Sequence, residues 1–147
     1  MKGAFTMVAL IVLSSFRAEN DIGEWSYSFD EPLKKGFEVN LIFDVSIKRN
    51  WYLYSSDLSV DIGPIPTQIE FLQDSSFQLV GAVIPLQPLK KIDKTWDATV
   101  SYFEQRGKFK QRIKVLAEKP AIKGAITGQY CSKKNGQCIP FKQVFEL

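Results

Sequence analysis

Two cysteines, Cys131 and Cys138, are the only residues of the chain whose type and spacing point to redox chemistry. They enclose Ser132, Lys133, Lys134, Asn135, Gly136 and Gln137. The chain has no histidine. That removes Ser-His-Asp and Cys-His catalysis and imidazole metal ligands. Two cysteines are also too few for a four-cysteine zinc site or an iron–sulfur cluster. Thiol–disulfide exchange survives this exclusion, because it needs a thiolate, an accessible sulfur and a leaving group but no imidazole. Lys133 and Lys134, inside the ring, favour thiolate over thiol.

Asn135-Gly136 is a strong turn signal, since both residues tolerate positive φ. A two-residue turn there would set Lys133, not Cys131, opposite Cys138. Joining the sulfurs therefore calls for a longer tip, because the Cα atoms must approach within about 7 Å. Closing an eight-residue ring constrains the unfolded chain by only about 2–3 kcal/mol in the entropic view. The spacing alone suits a permanent staple or a bond made for exchange.

The pair sits in a chain that reads as many short strands. Phe37, Val39, Leu41, Phe43, Val45 and Ile47 alternate with Glu38, Asn40, Ile42, Asp44, Ser46 and Lys48, the period of a strand with one buried face. Lys108, Lys110, Arg112 and Lys114 alternate with Phe109, Gln111, Ile113 and Val115. Their cations form a stripe that suits a solvated sheet face or an anionic partner. Further strands are expected at 25–29, 51–54, 67–72, 77–84, 98–104, 122–130 and 139–145. Arg106-Gly107 reads as a hairpin turn. No window after the first residues keeps a helical apolar period. Prolines 32, 64, 66, 85, 88 and 120 punctuate the segments. Eight or nine strands in one domain predict an all-β, immunoglobulin-like sandwich, with a core sufficient for stability.

Residues 1–18 read as a signal peptide. Met1-Lys2 precedes an apolar run from Gly3 to Phe16, shorter than the roughly 20 residues of a spanning helix. The leader holds two of the 19 basic residues, Lys2 and Arg17, leaving 17 against 16 acids and a net charge of +1. No nucleic-acid partner follows from that balance. Export would place the remainder, 19–147, where disulfides persist: the periplasm, or a secreted location as second choice.

Gly128-Gln129-Tyr130-Cys131 and Asn135-Gly136-Gln137-Cys138-Ile139-Pro140-Phe141 resemble the active-site hairpin of the N-terminal, periplasmic domain of the thiol:disulfide interchange protein DsbD family. Asn50-Trp51-Tyr52-Leu53-Tyr54-Ser55 and Gly63-Pro64-Ile65-Pro66-Thr67 are similar to the family's early aromatic strand and the segment after it. The resemblance implies a stand-alone immunoglobulin-like protein-disulfide reductase domain with no metal or organic cofactor. It implies that Cys138 forms mixed disulfides with partners and that Cys131 resolves them. The implied partners are a thioredoxin-like domain or membrane electron transporter on another chain, and exported client proteins with disulfides. No stable membrane insertion is expected after leader removal. The family's cap loop matches Ile92-Asp93-Lys94-Thr95-Trp96-Asp97 best, with Trp96 as a shield over the sulfurs or, alternatively, a core residue. Tyr52 and Tyr54 share one strand face and either flank the sulfurs or pack ordinarily. Asp93 either accepts hydrogen bonds near the thiols or is a solvated acid. Two other classes compete with exchange: an exported binding or adhesion sandwich with a permanent staple, and a chaperone that holds clients on a sheet edge.

Overall fold

The computed structural model describes residues 21–58 and 63–147; the leader expected over 1–18 lies outside the described residues. Ten strands follow one another: β1 Gly23–Phe29, β2 Glu38–Ile47, β3 Trp51–Tyr54, β4 Gln68–Phe71, β5 Phe77–Pro85, β6 Leu89–Asp93, β7 Ala98–Glu104, β8 Arg106–Val115, β9 Lys123–Ser132 and β10 Cys138–Glu146. One antiparallel sheet runs β1-β2-β8-β5 and the other β10-β9-β3-β7-β6, with β4 also paired to β9. The architecture is the expected all-β sandwich of immunoglobulin-like type.

The alternation of β2 places Val39, Leu41, Phe43, Val45 and Ile47 in the core, and that of β8 adds Phe109, Ile113 and Val115. The facing sheet contributes Leu53, Phe103, Ile126, Tyr130, Phe141 and Phe145. Gln111 also points inward and is buried. Its side-chain amide faces the carbonyls of Val80, Gly81 and Arg112 at 3.4, 3.1 and 2.8 Å. The register between β5 and β8 shifts between Val80 and Ile84, so Gln111 supplies a donor where the ladder breaks.

Two features depart from the sequence expectation. Arg106-Gly107 is not a hairpin turn. Both residues lie in β8, where Gly107 pairs with Val45, and β7 and β8 belong to different sheets. The chain changes sheet at Gln105, whose φ is +61°. Residues 89–93, outside every strand expected from the sequence, form β6. Its Leu-Lys-Lys-Ile-Asp composition and edge position explain why no alternating apolar face announces it. Lysines on an exposed edge discourage pairing with foreign strands.

The cation stripe lies on the outer face of β8. Asp44 receives Arg106 through three nitrogen–oxygen contacts of 2.7–3.1 Å and lies 3.4 Å from Lys108. Hydrogen bonding from the Arg106 guanidinium holds the Asp44 carboxyl below its ordinary range. Glu38 lies 3.7 Å from Arg112. These cross-strand pairs support the reading of a solvated sheet face.

β9 is fitted to β10 through glycines set opposite phenylalanines. Gly124 pairs with Phe145 and Gly128 with Phe141. A Cβ at Gly124 would collide with the Glu70 carbonyl and the Phe145 ring. Gly124→Ala is therefore expected to destabilise the fold by about 2 kcal/mol, within the range for overpacked cores. Urea unfolding monitored by tryptophan fluorescence checks this.

Candidate functional site

The β9–β10 hairpin sets Cys131 directly opposite Cys138, with Cα atoms 4.0 Å apart. The two sulfurs are joined. The connecting loop is Lys133–Gln137, longer than a two-residue turn, as joining the sulfurs required. Ser132 N donates to Gln137 O at 2.8 Å and Gly136 N to Ser132 O at 2.9 Å. Gly136 has φ +72°, a conformation that glycine adopts at no steric cost. Asn135 Oδ1 accepts from Gln137 N at 3.0 Å, and Ser132 Oγ from Lys134 N at 3.2 Å. Two further bonds fasten the tip to the sandwich. Lys133 N donates to Asn50 O at 2.8 Å, and Lys133 Nζ lies 3.0 Å from Glu104 Oε2. The loop is thus held by contacts other than the disulfide.

The two sulfurs live in different surroundings. Cys131 is 0% exposed, whereas Cys138 is exposed. The cause is topological. β10 is an edge strand, while β9 lies between β10 and β3. Cys131 therefore has a neighbour on each side, Cys138 and Tyr52. Partners across a ladder share a face, so Glu104, Tyr52, Cys131 and Cys138 form a row on the outer face of the sheet.

That outer face carries a second, small core. Tyr54, Val100 and Cys131 are buried there, with Tyr52, Leu58 and Tyr102 packed against them. The Tyr52 ring meets Tyr54 edge-on at 5.3 Å and Tyr102 at 5.9 Å. Tyr54 Oη donates to Asp93 Oδ2 at 3.1 Å. Its proton being committed, Tyr52 Oη is the donor in its 3.3 Å contact with Tyr54 Oη. Asp93 Oδ1 accepts from Thr95 N at 2.9 Å, so this carboxylate ties the β6–β7 connection to the tyrosines. Burial, reinforced by Tyr52 and Asp93, pushes the Tyr54 hydroxyl well above its ordinary pKa.

Of the residues singled out from the sequence, Cys131, Cys138, Tyr52, Tyr54 and Asp93 come together here. Trp96 does not join them by any ring–ring contact among the described residues. It is 38% exposed in the β6–β7 connection, so it is not a core residue. Three participants were missed: Tyr102, Glu104 and Lys91. Lys91 Nζ lies 3.9 Å from the Tyr52 ring centroid, 4.6 Å from that of Tyr102 and 5.9 Å from that of Tyr54. The outward period of Val100, Tyr102 and Glu104 was available in the sequence. Lys91 was not legible without β6.

The family described as thiol:disulfide interchange protein DsbD, N-terminal, matches residues 25–147. The chain belongs to this family. The DsbD N-terminal fold also appears in its structural neighbours. The N-terminal periplasmic domain of ScsB from Proteus mirabilis superposes with a TM-score of 0.59 at 16% identity, over 89% of this chain and 48% of that one. This chain therefore spans about half the length of that neighbour. The reduced DsbD N-terminal domain of Neisseria meningitidis gives 0.51 at 18% identity, over 76% and 77% of the two chains. The same organism's DsbD N-terminal domain complex with the PilB N-terminal domain gives 0.51 at 11% identity, over 83% and 80%. No curated relative matches the chain.

The buried hydroxyls set an alkaline limit. Tyr54 is raised, and burial pushes Tyr130 up to about 12. A raised folded-state pKa means that stability is full below the unfolded value near 10 and falls as pH rises above it. Unfolding free energy is expected to be flat from neutral pH to about 10 and to decline beyond. In Tyr54→Phe the decline should be shallower. Urea unfolding across alkaline pH measures both slopes.

Proposed function

We propose that this DsbD N-terminal family member carries out thiol–disulfide exchange through Cys131 and Cys138, relaying electrons in the periplasm from a thioredoxin-like or membrane reductase on another chain to disulfides of exported proteins. The observation that carries the reading is the asymmetry of the pair. One sulfur-bearing residue is exposed on an edge strand, and its mate is sealed one strand further in. Only Cys138 offers a line of approach for the in-line attack that exchange requires.

In the reduced domain the Cys138 thiolate attacks a client disulfide. A Cys138–client mixed disulfide forms, and one client sulfur leaves as thiolate. Cys131, its proton lost, attacks Cys138 Sγ. The Cys131–Cys138 bond re-forms and the second client sulfur leaves, so two electrons have passed to the client. Recharging runs the same way in reverse. A partner thiolate attacks Cys138 Sγ and Cys131 leaves, then a second partner thiol resolves the mixed disulfide. Cys138 Sγ lies 3.8 Å from Gly136 O, an acceptor for the thiol once the bond opens. The loop contacts independent of the disulfide keep the two residues opposed through the cycle. Tyr52 and Tyr54 wall the buried sulfur, and Asp93 holds their hydroxyls in line.

Trapping tests the assignment. Cys131→Ala, with Cys138 free, is expected to accumulate a covalent adduct with a thioredoxin-fold protein, and Cys138→Ala to accumulate none. Adducts only in Cys138→Ala would reverse the roles, and adducts in neither would remove the exchange reading. The pair should also equilibrate with a dithiol at a potential less negative than about −300 mV, the region below which structural disulfides usually lie.

A further inference from the structure

The site contains a cation that the exchange chemistry described above does not use. Lys91 leaves β6 on the same face as Asp93, and its ammonium ends over the ring of Tyr52, with Tyr102 and Tyr54 completing a three-sided aromatic cage. Tyr52 is the ladder partner of Cys131. The charge is therefore one ring removed from the buried sulfur. From β6 the ammonium has crossed β7 to reach β3, and a flexible side chain with about 2 kcal/mol of rotamer entropy does not settle there without attraction. Cation–π contact supplies it, about 0.5–1 kcal/mol in the open and about 2 where water is excluded.

The charges around this cage are largely accounted for. From β7, Glu104 is ion-paired with Lys133 of the cysteine loop at 3.0 Å. From β6, Asp93 accepts Tyr54 Oη and Thr95 N. From β3 and β7 come the neutral phenols of Tyr52, Tyr54 and Tyr102. Among the described residues no carboxylate lies within ion-pair distance of Lys91 Nζ. Its positive charge is thus left facing the aromatic wall of the disulfide.

We propose that Lys91 is a positioning residue for thiol–disulfide exchange. Its caged ammonium fixes the Tyr52 wall against Cys131 and biases the reduced pair toward thiolate. The inference rests on the exchange reading and adds a residue that sets the redox poise. A nearby positive charge favours the thiolate. Stabilising the reduced form makes the pair more oxidising.

The test compares Lys91→Met with Lys91→Arg. In the fully reduced protein with both cysteines present, the pH profile of alkylation by iodoacetamide should move upward by about half a unit in Lys91→Met. With both cysteines present, equilibrium with glutathione should shift about threefold toward the disulfide. In that reaction two glutathione thiols reduce the pair and leave as one glutathione disulfide. Lys91→Arg keeps the charge and should match the wild type in both measurements. An unchanged Lys91→Met overturns the proposal, and equal shifts in both variants overturn it in favour of packing alone. If Lys91→Met does not fold, NMR of the wild type decides. The Lys91 ε-methylene protons should be displaced upfield by the ring faces, and unshifted resonances overturn the proposal. Failure of the exchange reading itself would appear elsewhere, as absence of any Cys138 adduct in the trapping experiment.

Discussion

The register of β9 decides the chemistry of this molecule. Tyr130 and Cys131 are consecutive and face opposite ways, one into the main core and the other into the small aromatic cluster outside. A slip of one residue would exchange them, sealing the sulfur inside the sandwich and placing a tyrosine in the redox row. The register is pinned by side chains remote from the sulfurs. Tyr130 stacks on Phe141 with centroids 4.3 Å apart and accepts Trp25 Nε1 at 2.9 Å. Gly124 and Gly128 admit the Phe145 and Phe141 rings where any Cβ would crowd them. The core thereby sets the address of the disulfide.

From that address the unequal exposure of the two cysteines follows. β10 has one neighbouring strand, whereas β9 is paired on both edges, with β10 on one and β3 and β4 on the other. A disulfide across the last pair of a sheet necessarily joins an edge residue to an interior one. In this sheet the interior position is roofed by Tyr52, Tyr54 and Val100, and the edge position is left open. The tyrosines close the site without supplying a nucleophile. Their hydroxyls run in series to Asp93, so the β6–β7 connection, the aromatic wall and the buried sulfur are mechanically one unit.

The sequence made the sandwich legible because most strands alternate strongly. β3 and β7 emerge at their expected limits, 51–54 and 98–104, and β2 differs by one residue at each end. Tyr52 and Tyr54 could be placed together because period two leaves no other choice in a strand. The need for a loop longer than two residues followed from counting back from Asn135-Gly136. The rest was hidden for physical reasons. β6 carries its lysines on an edge and over a ring rather than on an alternating apolar face, so its pattern looks like loop. With β6 unseen, Lys91 had no neighbours. The crossing at Gln105 was misread because a glycine in a strand, required by the close approach of Phe103 and Val45 to Gly107, resembles a glycine in a turn. Trp96 was drawn in by its place after an acid; in the fold Asp93 bonds to the cluster, and Trp96 makes no ring contact with it among the described residues.

The disulfide is one modest contribution among many to the scaffold, which suits a reversible bond. An eight-residue ring removes only about 2–3 kcal/mol of chain entropy from the unfolded state. The sandwich behind it buries whole faces of β2, β8 and β9, with side chains such as Phe43, Phe109 and Tyr130 at or near zero exposure, and each fully buried side chain of that size contributes about 1.5–3 kcal/mol. Burying one such side chain thus contributes about as much as closing the ring does. The loop has its own hydrogen bonds and its ties to Asn50 and Glu104, contacts that do not run through the S–S bond. In the proposed exchange, the change falls on two sulfurs and the aromatic wall beside them.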